Sequence, residues 1–153
     1  SDDIQGLEAS ASAVQMRFEA KVPSLAARTA TGLEVRRPGG LDGFSSRWAA
    51  LPRRKTVLRL PTAARHHLQF RYVMPPGWAA ARLPPEVQEE SRFGAYSVIW
   101  RKEDGAVTVE NQLELSANSV SVKDYAQFRS FLERYDAALR VPLAFDRPTQ
   151  AEP

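Results

Sequence analysis

Residues 94–115 read Gly94-Ala95-Tyr96-Ser97-Val98-Ile99-Trp100-Arg101-Lys102-Glu103-Asp104-Gly105-Ala106-Val107-Thr108-Val109-Glu110-Asn111-Gln112-Leu113-Glu114-Leu115. Tyr96, Val98 and Trp100 alternate with more polar neighbours, and so do Val107, Val109, Asn111, Leu113 and Leu115. A period of two places each set on one face of a strand. Between them stands Glu103-Asp104-Gly105, and Asp-Gly suits a turn that needs positive φ at its centre. The stretch predicts a long antiparallel hairpin. Thr108, Glu110, Gln112 and Glu114 share the other face of the return strand and are expected to be wet.

The same period recurs upstream. Val14, Met16, Phe18, Ala20 and Val22 alternate with Gln15, Arg17, Glu19 and Lys21, which predicts a strand ending near Pro23. Weaker strands are expected at Leu25–Thr29 and Leu33–Arg36, split by a turn at Ala30-Thr31-Gly32. Pro38-Gly39-Gly40 breaks the chain. Phe44, Trp48 and Leu51 then recur at helical spacing, so Leu41–Leu51 is expected to form a short helix capped by Asp42 or Ser45 and stopped by Pro52. Thr56, Leu58 and Leu60 predict a strand, and Leu68, Phe70, Tyr72 and Met74 a stronger one, ended by Pro75-Pro76-Gly77. Trp78–Leu83 and Val87–Phe93 are expected to be extended.

Downstream the period changes. Tyr125, Phe128, Phe131, Leu132, Tyr135 and Leu139 recur at spacings of three and four, one apolar face of an amphipathic helix over about 122–140. Ser121 and Asp124 resemble a capping box at its start. Phe128 and Phe131 are the expected centre of the core. Val141, Leu143 and Phe145 alternate into a last strand. One helix cannot cover a single sheet of this size, so two sheets facing each other bury more. The fold class expected is mainly β: an antiparallel β-sandwich of about seven to nine strands with one long C-terminal amphipathic helix. Residues 1–12 read as a flexible lead, 13–146 as a single domain, and 147–153 as a polar tail.

Composition agrees with one folded domain. The chain has 153 residues, 43% apolar and 25% charged, which suits a single core without staples. The absence of cysteine excludes disulfides, thiol catalysis and Cys-based zinc sites. No apolar run approaches the roughly 20 residues that cross a bilayer. No charged-then-apolar signal segment opens the chain, and Ser1-Asp2-Asp3 reads as the cut edge of a longer protein. The net charge is +3, carried mostly by arginine, and an excess this small argues little for nucleic acid or membrane.

Several residues coincide with a known pattern. Met74-Pro75-Pro76-Gly77-Trp78, Leu83-Pro84, Phe93-Gly94-Ala95-Tyr96 and the run from Val122 to Leu132 stand in this order around the long strands. This resembles the C-terminal β domain, of unknown function, of bacterial transglutaminase-like multidomain proteins. The likeness spans Val14 to Leu143 and is best from Arg71 to Leu139. It implies a β domain ending in a helix with a phenylalanine-rich face, following a papain-like core in an envelope or periplasmic setting. Two departures stand out. The Cys-His-Asp machinery of that core is absent, and Val122-Lys123 occupies the stretch where the family usually has Pro. The resemblance therefore carries no catalytic residue to this chain.

The residues themselves offer few chemical sites. His66 and His67 point to opposite faces of a strand and cannot readily share a metal. Glu86, Glu89 and Glu90, with Glu103 and Asp104, lie beside turns, where solvated charge is the simpler account than paired acid and base. No Gly-x-Ser-x-Gly elbow exists. Gly39-Gly40-Leu41-Asp42-Gly43 lacks the Lys-Ser/Thr of a phosphate loop. Arg36-Arg37 and Arg53-Arg54-Lys55 are basic knots suited to strand ends and solubility. Trp100 is in register with core positions, whereas Trp78 follows a turn and is open to interdomain packing or to stacking on a sugar.

The function expected is a non-catalytic accessory domain with no cofactor and no metal. It would pack on a neighbouring domain of the same protein or on another protein through Trp78, Arg53, Arg54, Leu83 and Val87, at the periplasm or cell envelope. The alternative is a small-ligand or carbohydrate-binding sandwich with an exposed Trp beside carboxylates. A third reading, an independent hydrolase, requires converging titratable groups.

Overall fold

The computed structural model describes residues 2–5, 15–18, 25–36, 43–60, 64–74 and 76–146. Pro23, the Pro38-Gly39-Gly40 break, Asp42 as a cap, Pro75 and the tail from Arg147 lie outside the described residues.

In chain order the elements are β1 (Asp2–Gln5), β2 (Gln15–Phe18), β3 (Ala26–Arg28), β4 (Gly32–Val35), α1 (Phe44–Trp48), β5 (Leu58–Arg59) and β6 (Ala64–Val73). Then follow β7 (Ala79–Arg82), β8 (Val87–Ser91), β9 (Gly94–Glu103), β10 (Ala106–Leu115), β11 (Ser119–Val120), α2 (Tyr125–Arg140) and β12 (Leu143–Asp146). The architecture is mainly β and sandwich-like. One four-stranded sheet has the order β6-β10-β9-β8 and another β3-β4-β12-β7, with β1-β2 and β5-β11 as two-stranded ribbons. Every pairing is antiparallel. The strands the sequence does not announce are short. β11 has two residues, too few to show a period, and Asp2-Asp3-Ile4-Gln5 shows none; the strand expected from Thr56, Leu58 and Leu60 is present as β5 but spans only Leu58–Arg59.

β9 and β10 form the expected hairpin, with Val109 opposite Trp100 and Leu113 opposite Tyr96. β10 is also paired along its length with β6, placing Phe70 beside Val109. The inward set Tyr96, Val98, Trp100, Val107, Val109 and Leu113 is buried. It joins one cluster with Leu143 and Phe145 of the second sheet. On the outward face Glu110, Gln112 and Glu114 reach solvent as expected, but Thr108 is only 5% exposed. Its hydroxyl donates to Glu103 at 2.7 Å, and Arg71 reaches the same carboxylate at 3.2 Å. Two long charged side chains thus lie over a short one.

α2 uses the stripe read from the sequence. Tyr125, Phe128, Phe131, Leu132, Tyr135 and Leu139 are all buried. Rings from the helix meet rings from the β8–β9 turn and from β9: Phe128 on Phe93 at 5.4 Å, Phe131 on Tyr96 at 5.2 Å. The helix begins at Tyr125 rather than at 122. Ser121 does not cap it; its hydroxyl lies 2.7 Å from the Asp124 carboxylate. Arg92 ties the same turn down by donating to Asp124 and Gln127.

The short helix differs more from expectation. α1 has five residues, and Leu51, expected on its buried face, is 53% exposed beyond its end. Pro52 disfavours helical backbone at the residue before it, so the helix ends at Ala49, whose N–H still bonds Ser45. Its N-cap residue is Gly43, and Ser45 lies inside the helix. Asp136 of α2, 1% exposed, accepts the backbone N–H of Gly43 at 2.9 Å, Phe44 at 2.8 Å and Ser45 at 2.9 Å. The Ser45 hydroxyl donates to it as well, at 2.6 Å. One buried carboxylate thus satisfies donors that a helix start leaves unpaired. Asp136 falls at helical spacing with Leu132 and Leu139, so a charge on the apolar stripe was the sequence signal for a buried polar partner.

Gly94 opens β9 at φ +146°. A Cβ there would lie 2.0 Å from the Glu114 carbonyl oxygen. Gly94→Ala is therefore expected to destabilise the domain by about 2–4 kcal/mol, from a disfavoured backbone region plus a backbone clash in the central hairpin. A urea midpoint equal to that of the parent protein would show that β9 and β10 are not held this close.

Candidate interaction surface

Trp78 follows the turn at Pro76-Gly77 and is half-buried against the core. Beside it opens a cleft of about 480 Å³ whose walls include Met74, Trp78, Lys102, Glu103 and Asp104. The β9–β10 hairpin supplies the charged wall. The Glu103 carboxyl is held below its ordinary range, first by the Thr108 hydroxyl and then by Arg71, so it rests ionised. Val73, 70% exposed, stands at the same end, and the Met74 N–H bonds the Gly105 carbonyl. Leu83 and Val87 pack partly against the core, Val87 opposite Val98. They are half core and half surface.

Arg53 and Arg54 lie elsewhere. Their loop crosses the start of α2, where the Tyr125 hydroxyl donates to the Leu51 carbonyl at 2.6 Å. The Arg54 guanidinium stands 5.8 Å from the centroid of the Tyr125 ring, a cation–π contact. Downstream, Leu58 of β5 pairs with Val120 of β11, which ties the segment that carries Val57 to the one that leads into Val122. This region joins β10 at Leu115, whereas the Trp78 cleft meets the hairpin at Glu103–Gly105. At about 3.3 Å per residue the two regions are roughly 30 Å apart along the sheet. The structure brings Arg53 together with Arg54, and Trp78 into the same half of the sheet as neither.

The other candidates resolve into pairs. His67 turns outward to Glu110 at 2.9 Å. His66 turns inward, its ring 4.7 Å from that of Phe44, and its pKa is lowered first by burial and then by Arg47 and His67. Glu89 accepts from the Tyr96 hydroxyl at 2.7 Å and from Arg134 at 2.8 Å. Its pKa is lowered, chiefly by the Arg134 hydrogen bond. Burial first, and then Glu89, push Tyr96 up to about 12. This cluster pins α2 to the β8 edge of the sheet. Among the described residues no three His, Asp or Glu side chains gather as metal ligands, and no helix is long and apolar enough to cross a membrane.

Sequence reasoning missed the exposed aliphatic residues around the basic knot. Leu51 is 53%, Val57 53% and Val122 45% exposed. The signal was present in Leu51-Pro52-Arg53-Arg54-Lys55-Thr56-Val57, where apolar residues flank charge in a segment that Pro52 keeps out of the helix.

Comparison with known proteins places these features in a family. No curated protein matches the chain. A solved structure of a candidate protease from Parabacteroides distasonis ATCC 8503 superposes with a TM-score of 0.60 at 20% identity, over 74% of this chain and 23% of that one. At that identity the likeness concerns the fold, and this chain spans less than a quarter of that protein's length. The model of a domain of unknown function with a solved structure, DUF3858, matches residues 41–145, from the loop before α1 through β12. Matched over this core and both helices, the chain belongs to the DUF3858 family.

Proposed function

We propose that this domain is a non-catalytic accessory module of a larger, envelope-associated transglutaminase-like protein, packing on a neighbouring domain or on a protein partner. The observation that carries the reading is the position of the exposed aliphatic side chains. Leu25 lies apart, just before β3, whereas Val73 stands at the Trp78 end, and Leu51, Val57 and Val122 lie on the segments tied to the start of α2. Apolar surface grouped in this way marks contact sites. Charge is distributed differently. Glu89, Glu103, Glu110 and Asp124 are all shifted down, by hydrogen bonds from hydroxyl, amide, imidazole or guanidinium groups. Such shifts suit structural pairing rather than a raised, proton-donating acid. The neighbouring fold forms 23% of a longer chain, in keeping with a module whose companion domains hold any catalytic machinery.

An antibody against this domain, used on fractionated source cells, tests the reading. A band much heavier than 17.1 kDa in the envelope fraction is the expected result. A band near 17.1 kDa in the cytosol overturns it.

The Trp78 cleft favours a second reading, carbohydrate binding. An indole beside Lys102, Glu103 and Asp104 offers a stacking face with polar groups for hydroxyls. This reading predicts saturable quenching of tryptophan fluorescence by oligosaccharides, lost in Trp78→Phe. Quenching unchanged in that variant, or none with any glycan tested, counts against it.

A further inference from the structure

Around the N-terminal end of α2, one surface combines apolar residues with unneutralised positive charge. Leu51, Val57 and Val122 are each about half exposed. The segments that carry them are tied to one another by the Tyr125 hydroxyl on the Leu51 carbonyl, by the β5–β11 pairing and by the Leu60 N–H on the Asn118 carbonyl at 2.9 Å. Arg53, Lys55, Arg59 and Lys123 are exposed around them. Among the described residues none of these four cations takes part in a salt bridge, although eight such bridges form elsewhere. Asp124, next to Lys123 in the chain, is engaged by Arg92 and Ser121, and the Lys123 charge acts on it more weakly.

An apolar centre with a charged rim is the anatomy of a protein interface. The rim here is predominantly cationic, with Asp124 already engaged by Arg92, so its complement is a surface carrying carboxylates around an aliphatic residue. Two other occupants fit less well. Nucleic-acid strands and bilayer surfaces are commonly met by exposed aromatic side chains, whereas of the aromatic residues near this region Tyr125 is 2% exposed and Trp48 packs on the core with its ring 5.7 Å from that of Phe44. We propose that this surface docks an acidic protein segment, its aliphatic side chain on Leu51, Val57 and Val122 and its carboxylates on Arg53, Lys55, Arg59 and Lys123. The proposal rests on the accessory-module reading and identifies the partner's chemistry.

The test uses the whole chain labelled with ¹⁵N and a synthetic peptide of alternating glutamate and leucine, with a lysine–leucine peptide and phosphatidylglycerol vesicles as alternative probes. The expected result is amide shifts confined to Leu51–Arg59 and the segment from Ser119 to Arg129 with the acidic peptide. Binding should weaken about tenfold or more in the Arg53→Glu/Lys123→Glu double variant, a loss of about 1.4 kcal/mol or more. No shifts, equal binding of the lysine peptide, equal affinity in the variant, or response to vesicles but not to the peptide would overturn the proposal. Shifts mapping to Trp78 and Gly105 would also overturn it while leaving the accessory-module reading standing.

Discussion

Asp136→Ala is expected to destabilise the domain by about 3–5 kcal/mol, read as a lowered urea midpoint at unchanged slope. The residue lies in the apolar stripe of α2 and is 1% exposed. The substitution removes four hydrogen bonds to a carboxylate, three from consecutive backbone N–H groups and one from a hydroxyl. Each buried donor left without an acceptor costs about 1–3 kcal/mol. Relief of the cost of burying the carboxylate offsets part of the sum. The loss has a location as well as a size. α1 should detach first, so amide exchange at Phe44 and Ser45 should rise far more than at Val109 in the centre of the sheet. Asp136→Asn keeps the shape but turns an amide N–H₂ toward some of the same donors, and should recover less than half of the loss. A variant within about 0.5 kcal/mol of the parent would mean that α1 is held by its Phe44 contacts alone.

Phe128→Ala should cost about 3–5 kcal/mol, the range for a phenylalanine removed from a packed core. The ring is 0% exposed and meets Phe93 edge to face at 5.4 Å. Phe93 sits in the turn between β8 and β9, so the cavity opens where the helix joins the first sheet. The control lies on the same helix. Glu133 makes an exposed i,i+4 bridge with Arg129 at 2.9 Å, a pair worth about 0.3–0.5 kcal/mol. Glu133→Ala should therefore leave the midpoint nearly unchanged. Equal losses for the two variants would indicate that α2 contributes through helix propensity rather than through docking.

The long elements were legible because their periods are. Period two in β6, β9 and β10 and the three-four spacing of α2 each persist over many residues, and each was realised with the expected face inward. The shorter strands β3, β4, β7, β8 and β12 also fall where extended chain was expected, with their ends less well placed. β11 and the exposed end after α1 were not legible, because they depend on a partner strand or on a single proline, and two residues carry no period. The candidate surface was half legible. Arg53 and Arg54 stood out as a basic knot, but the aliphatic residues beside them looked like helix and strand positions until folding left them outside.

By itself the sequence determined that the chain is mainly β, that its central hairpin turns at Asp104-Gly105, and that one helix covers the sheet with Phe128 and Phe131 at the centre. These follow from local periodicity and turn chemistry, which act between near neighbours. Only the tertiary structure decided that Asp136 caps a helix 92 residues away. It alone placed Trp78 and the Arg53–Arg54 pair at opposite ends of the sheet and left Leu51, Val57 and Val122 exposed on segments that also carry cations unpaired among the described residues. Such contacts join residues distant in the chain, and a residue's own neighbours in sequence carry no record of what folding brings against it.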